Sequence, residues 1–380
     1  MQKFDLCVIG SGSGNSLIDE SLGDWSVALV DDGPYFGGTC LNAGCIPTKM
    51  FVYPADVVRI GQTGGRVDVD PTSPGIDWPA LRERVFGRTD TIAEAGEDWR
   101  RRGPGVTLFR ETAHFIAPKQ LLVGGQLITA DRFVIAAGSR PVLPDWALDL
   151  PDDVAGRVHT SDTILRLPQA PASLVIVGSG FIAAEMAHVF SAAGAEVTVL
   201  ARGDALLRHA DAEISSRFTD QVTADVTLRL GQQVQRIEAS EGGCAVLTED
   251  VDGVEYSFEA ECVLVDVGRT PNADRLQVAN AGVEVADDGY VVVDEFQHTT
   301  AEGVWALGDV CSRYQLKHVA NHEARVVKHN LLHPDDPIAS DHRFVPHAVF
   351  ADPQIATVGL TEAQARDAGL DVAVTVQEFA

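Results

Sequence analysis

The sequence has little positive charge. Its 380 residues carry 29 Lys and Arg against 55 Asp and Glu, a formal charge of −26 at pH 7. That balance opposes binding to nucleic acid or to an anionic membrane surface. Nor is there a run of eighteen apolar residues, so no membrane-spanning helix is expected. The N-terminus, Met1-Gln2-Lys3-Phe4-Asp5, lacks the basic segment and apolar core of an export signal. Cysteine is scarce too: six in a chain this long are too few for a disulfide scaffold. These absences predict a cytoplasmic protein. What remains is 45% hydrophobic and 22% charged, a globular composition with room for two or three domains.

Two of the six cysteines share one Gly-rich turn, Gly37-Gly38-Thr39-Cys40-Leu41-Asn42-Ala43-Gly44-Cys45-Ile46-Pro47-Thr48-Lys49. At this spacing about one helical turn brings the sulfurs within bonding distance. Beside a nucleotide loop, such a pair can cycle between dithiol and disulfide and pass two electrons onward. The alternatives are buried structural thiols or half of a metal site. Zinc sites use closer spacing and a second ligand pair downstream, and none follows here, so no metal is expected.

The Cys turn follows a dinucleotide fingerprint. The apolar run Leu6 to Gly10 leads into Gly10-Ser11-Gly12-Ser13-Gly14, and Val27-Ala28-Leu29-Val30 ends in Asp31-Asp32. Strand, glycine loop, helix, strand and acid is the expected order. Gly10, Gly12 and Gly14 let the backbone approach a pyrophosphate at a helix N-terminus. Asp31, directly at the strand's end, is the expected partner of a ribose hydroxyl pair. Asn15 stands where a third Gly or Ala usually packs helix on strand. Residues 50–103 read as helical and 105–130 as a small antiparallel meander. A buried strand from Phe133 then ends in a tight turn at Ala137-Gly138.

The fingerprint recurs at Leu174-Val175-Ile176-Val177-Gly178-Ser179-Gly180-Phe181, leading through Glu185 to a second strand, Glu196 to Leu200. Two glycine loops imply two dinucleotides. No acid directly follows Leu200; Arg202 and Arg208 lie there instead. Their planar forks suit a 2′-phosphate, which predicts NADPH over NADH, solvated surface arginines being the alternative. Gly268 closes this second unit. A later strand ends in Gly308-Asp309, and a helix is expected from Lys317-His318 through Leu332. The fold class expected is α/β, with two Rossmann-like dinucleotide-binding domains, the second inserted in the first.

Together these motifs resemble the two-dinucleotide-binding flavoprotein disulfide reductases, the family of glutathione reductase and dihydrolipoamide dehydrogenase, over essentially the whole chain. The resemblance implies FAD held by residues 1–149 and 269–337, NADPH by 150–268, and an interface (dimerisation) domain beginning at 338. It implies electron flow from NADPH through FAD to a Cys40–Cys45 disulfide, with Cys45 nearest the flavin and Cys40 the outer thiol that attacks the substrate. Lys49 and Glu185 match an ion pair beside the flavin, with an ordinary core pair as the alternative. Gly38 and Thr39 match the FAD-contacting turn, and Asp309 the acid on the ribityl chain. Phe181 stands where relatives gate the nicotinamide pocket with tyrosine. Lys317 and His318 open a helix aimed at the flavin's pyrimidine end. His318 and His322 have metal spacing but read as helix-surface or flavin-proximal residues.

A finer likeness rests on Gly10 to Ser16, Phe86-Gly87-Arg88, Gly96-Glu97-Asp98, Ala187 to Ser191 and Leu316 to Arg325. It is to the family branch whose small-molecule substrate is mycothione, the disulfide of a sugar-linked cysteine thiol. The expected assembly of the full-length family is a homodimer. His347 to Glu362 looks like the start of the interface domain, whose later His-Glu pair acts as acid and base at the partner's Cys40. A chain ending at Ala380 is therefore expected to be C-terminally truncated, with impaired turnover and doubtful dimerisation. His333-Pro334 comes too early to supply that histidine. NAD-dependent dihydrolipoamide dehydrogenase, and an FAD- and NADPH-binding protein with diaphorase activity only, are the alternatives.

Overall fold

The computed structural model describes residues 1–67, 74–223 and 226–378, so part of the predicted helical stretch 50–103 lies outside the described residues. The chain forms two compact units, each discontinuous in sequence.

The first unit comprises 1–50, 79–142 and 269–342. Its sheet is built from β1 (Gln2–Ile9), β2 (Val27–Val30), β3 (Val106–Phe109), β4 (Ala113–Ala117), β5 (Gln120–Val123) and β6 (Gln126–Ile135). The order is β3-β2-β1-β6-β5-β4, with Val304–Ala306 also paired to β6. β1, β2, β3, β6 and Val304–Ala306 run parallel, β6 pairing with β1 from Ile128 to Ile135. β4, β5 and the N-terminal half of β6 form the antiparallel meander. Val106–Phe109, expected in that meander, is instead a parallel edge strand against β2. Its neighbours Val27 to Val30 are buried on both faces, as a parallel sheet requires. Phe4, Phe115, Phe133 and Ile135 fill one side of the sheet, and Leu6, Leu29, Val134 and Leu307 the other.

The helix expected after the first glycine loop does not form. Two short 3₁₀ turns, Gly14–Leu17 and Glu20–Leu22, replace it. Gly, Ser and Asn crowd this stretch, and all favour turns over helix interiors. The close-packing glycine is Gly14 rather than the residue at 15: a Cβ on Gly14 would fall 2.7 Å from that of Ala136 and 3.0 Å from Val8.

The second unit comprises 51–78, 143–268 and 343–380. Its parallel sheet carries Ser173–Val177 between Glu196–Ala201 and Cys262–Val265, with Thr227–Leu230 and Val158–His159 at the edges. A three-stranded antiparallel sheet, Gln233–Ser240, Gly243–Glu249 and Glu255–Ala260, packs against it through Val246, Ile237, Val263 and Val265. Residues 143–268 thus interrupt the first unit as an inserted domain, each unit having its own strand–glycine loop–strand start. Trp78 sits 4.9 Å from both Phe51 and Phe190, and its indole N–H donates to Leu167 O at 2.9 Å. A hairpin of His347–Val349 and Ile355–Thr357 precedes a short helix, Glu362–Asp367, closed by a Thr361/Gln364 capping box. Among the described residues no helix is long and apolar enough to cross a membrane.

Candidate active site

The two cysteines do not share one helix. Cys40 lies in the short helix Gly38–Asn42, and Cys45 begins the next, Cys45–Thr63. The chain breaks at Ala43-Gly44, where a Cβ on Gly44 would come 3.1 Å from Thr39 O. The break folds Cys45 back toward Cys40. Asn42, buried, clamps the turn by donating from Nδ2 to Phe36 O at 2.9 Å and Gly38 O at 3.0 Å. Both thiols are free, Cys40 half-buried and Cys45 exposed. A hydrogen bond from Cys40 and the positive charge of Lys49 bring the Cys45 thiol down to about 7, against the opposing effect of burial. The same hydrogen bond, with burial, pushes the Cys40 thiol up, while the charge of Lys317 acts to lower it. The pair is therefore polarised, with Cys45 the thiolate and Cys40 its proton donor.

Gly12 and Gly38 bring the turn against the first glycine loop, while Gly10 packs on Ala136, whose carbonyl oxygen lies 2.2 Å from the place of a Cβ. Gly38 has φ +76°, and a Cβ there would fall 2.7 Å from Gly12 Cα. Ser11 joins the two segments: its Oγ accepts Gly37 N–H at 2.8 Å, and its own N–H donates to Asp31 Oδ2 at 2.8 Å. Asp31 also pairs with Arg110. Lys317 Nζ donates to Ser13 Oγ at 2.8 Å, and Ser13 donates on to Asn321 at 3.1 Å. The helix Lys317–Leu332 starts without a side-chain cap. His318 is exposed on its first turn, and His322 Nε2 accepts the Asp341 N–H at 3.0 Å. Asp309 accepts from Ser139 Oγ at 2.9 Å, and Ser139 accepts from Arg269 Nε at 2.9 Å. Burial raises the Asp309 carboxyl above its ordinary range. Asn272 ties the Ala137-Gly138 turn by donating to Ala137 O at 2.8 Å and Gly138 O at 3.0 Å.

In the second unit Gly178 is seated on Asp266, whose carbonyl lies 2.0 Å from the place of a Cβ. Gly180 and Phe181 open the helix Phe181–Ala192, again without a side-chain cap, while Asp266 Oδ2 accepts the Ala183 N–H at 2.9 Å. Phe181 is exposed, and Gly268 takes φ +125°. Glu185 is buried, and its Oε1 accepts the Phe350 N–H at 3.0 Å. Arg202 is exposed, and Arg208 lies over Gly203 with Asp204 at 3.6 Å.

The chain matches the pyridine nucleotide-disulphide oxidoreductase family over residues 4–324, and that family's dimerisation domain over 345–380. The chain belongs to this family. It is 48% identical to mycothione reductase of Mycobacterium tuberculosis over 100% of this chain and 83% of that protein. It is 34% identical to mercuric reductase of Staphylococcus aureus, over 98% of this chain and 68% of that protein. The HOCl-induced flavoprotein disulfide reductase RclA of Escherichia coli, solved as a Cu(II) complex, superposes with a TM-score of 0.83 at 28% identity. That superposition covers 97% of this chain and 80% of the other.

As a pyridine nucleotide-disulphide oxidoreductase the chain uses FAD and NADPH. Its residues fit both groups. The backbones of Gly12 and Gly38 leave a cradle that a Cβ would fill, and the helix Lys317–Leu332 starts without a side-chain cap, which favours phosphate and other anions there. Asp309, Asp31 and the Ala137-Gly138 turn all belong to the unit that carries the Cys pair. Asn42, Ser11, Ser139 and Arg269 escape a reading of the sequence alone. Only Asn42 leaves a signal there, lying between the two cysteines.

Proposed function

We propose that the chain is an NADPH- and FAD-dependent reductase of a low-molecular-weight disulfide, with mycothione as substrate. One observation carries the chemistry: the Cys40–Cys45 thiol pair, polarised by their hydrogen bond and by Lys49. The 48% identity to mycothione reductase over the whole chain supports the substrate. Bound FAD and NADPH supply the two electrons that keep the pair in its dithiol state.

The exchange then runs on the chain's own sulfurs. Cys45, as thiolate, takes the proton of Cys40. Cys40 attacks one sulfur of the substrate disulfide, forming a mixed disulfide and expelling the other sulfur as a thiolate. Cys45 gives its proton to that thiolate and attacks Cys40 Sγ, closing the Cys40–Cys45 disulfide and expelling a second thiolate, which takes its proton from water. Lys49 favours the Cys45 thiolate and Lys317 the Cys40 thiolate throughout. Two protons and two electrons are consumed per disulfide.

The other roles belong to the same reading. Gly10, Gly12, Gly14, Gly38, Thr39, Ala137, Gly138, Gly308 and Asp309 hold the FAD, with Asp31 on its ribose and Lys317 and His318 at its pyrimidine end. Gly178, Gly180, Phe181, Arg202, Arg208 and Gly268 hold the NADPH. The domains run 1–149, 150–268, 269–337 and 338–380, the last belonging to the interface through which the full-length, cytoplasmic family forms a homodimer.

Anaerobic titration of the purified flavoprotein with NADPH tests this. A broad long-wavelength absorbance band at two-electron reduction is expected. Flavin bleaching without the band, in the wild type as in C45S, would leave only diaphorase activity. Comparing mycothione with oxidised glutathione and lipoamide as acceptors, each with NADPH and NADH, separates the substrate readings.

A further inference from the structure

Behind the Gly308-Asp309 turn lies a buried carboxylate with no part in the chemistry above. Glu323, 1% exposed, sits in the second turn of the helix Lys317–Leu332. Its Oε2 accepts the Gly308 N–H at 2.6 Å. Its Oε1 lies 3.1 Å from Nε2 of His342, an ion pair set off the line of a straight hydrogen bond. A carboxylate this deep is strongly disfavoured unless paired. Gly308, at φ +74°, is seated against the same helix, where a Cβ would come 3.3 Å from that of Ala320. The turn is thus fixed on one side by Glu323 and on the other by Ser139, which donates to Asp309.

His342 is itself held in place. Tyr314 donates its hydroxyl to His342 O at 3.0 Å, and the preceding Asp341 N–H donates to His322. The titratable groups that face His342 are Glu323 and His322 from the helix, Tyr314 from the loop before it, and Asp341 from its own strap. Asp309 and Cys311 lie behind Glu323.

We propose that Glu323 and His342 are positioning residues for the flavin nucleotide, setting the Gly308-Asp309 turn so that Asp309 is offered to it. The proposal rests on the assignment of Asp309 to FAD. Its consequence is a pH dependence of flavin retention with two separable limbs. Glu323 raises the His342 value above its ordinary one. The ion pair is therefore complete below about 6.5 and is lost as pH rises through the folded-state value. Asp309 acts in the opposite direction: its carboxyl, raised by burial, loses its charge in acid. The alkaline limb belongs to His342 and the acid limb to Asp309.

The test is FAD affinity by flavin fluorescence across a pH series that runs from below the ordinary carboxylate value to above the ordinary imidazole value, in the wild type, H342Q, E323Q and D309N, with the melting temperature of each apoprotein. H342Q is expected to weaken FAD binding about three- to tenfold on the acid side of neutrality, the net scale of one ordinary hydrogen-bonding contact, and to flatten the alkaline limb while keeping the acid one. E323Q, whose amide oxygen still accepts the Gly308 N–H, should flatten the same limb. D309N should weaken binding and remove the acid limb. If D309N weakens binding but H342Q and E323Q keep the wild-type affinity and alkaline limb, the positioning role fails alone, whatever happens to melting. If D309N leaves affinity unchanged, the assignment of Asp309 fails, and the positioning role with it.

Discussion

Arg100 and Asn15, 85 residues apart, are joined by a buried fork. Arg100 Nε donates to Asn15 Oδ1 at 2.6 Å, and its terminal nitrogen donates to Asn15 O and Ile18 O, each at 2.8 Å. These acceptors sit where a longer helix would have followed the first glycine loop. The guanidinium gives the Ile18 carbonyl a donor and the Asn15 carbonyl, which already accepts the Ile18 N–H, a second one, and so fixes the loop without a helix.

Replacing Arg100 by Ala strands those acceptors and is expected to cost about 2–3 kcal/mol of stability, read by urea denaturation. R100K should recover little, because an ammonium cannot reproduce the fork. Equal stability of R100A and the wild type would mean that the fork is dispensable.

Gly38 tolerates no side chain. A Cβ would lie 2.7 Å from Gly12 Cα on a backbone at φ +76°. Strain at such a position is about 1–3 kcal/mol. G38A should purify with a fraction of the wild-type FAD, measured by absorbance ratio, and a normal FAD content would contradict the close approach.

The Cys45 thiol should titrate near neutrality. Its alkylation rate in the dithiol form is expected to rise through about pH 7. Because the folded-state value is depressed, the thiolate's contribution is complete above the ordinary thiol range and is lost as pH falls through about 7. C40A removes the hydrogen-bond donor and K49M the cation, so each should move the midpoint upward. An unmoved midpoint in both variants would rule out the polarised pair.

Arg202 and Arg208 predict a coenzyme preference. The double variant R202A/R208A should raise KM for NADPH on the order of tenfold or more, the worth of a charge-assisted phosphate contact, and leave KM for NADH almost unchanged. Equal effects on both coenzymes would remove these residues from the 2′-phosphate.

The sequence by itself determined the α/β class, the two glycine loops, the inserted second domain and the cysteine pair. Those features are local: Gly10, Gly38, Gly178 and Gly308 each adopt a positive φ that glycine reaches without strain, so their spacing announces a loop before any packing is known. Strands such as Val27–Val30 announce themselves through burial on both faces. Only the tertiary structure decided what supports the site. Ser139 meets Asp309 across 170 residues and Arg100 meets Asn15 across 85. The helix expected after Gly14 gave way to 3₁₀ turns, and the cysteines fell on two helices rather than one turn of a single helix. Contacts between residues so far apart in the chain leave no periodicity or spacing to read. They arise when the sheet brings its strand ends together, and buried polar groups then find partners there because leaving them unpaired costs more.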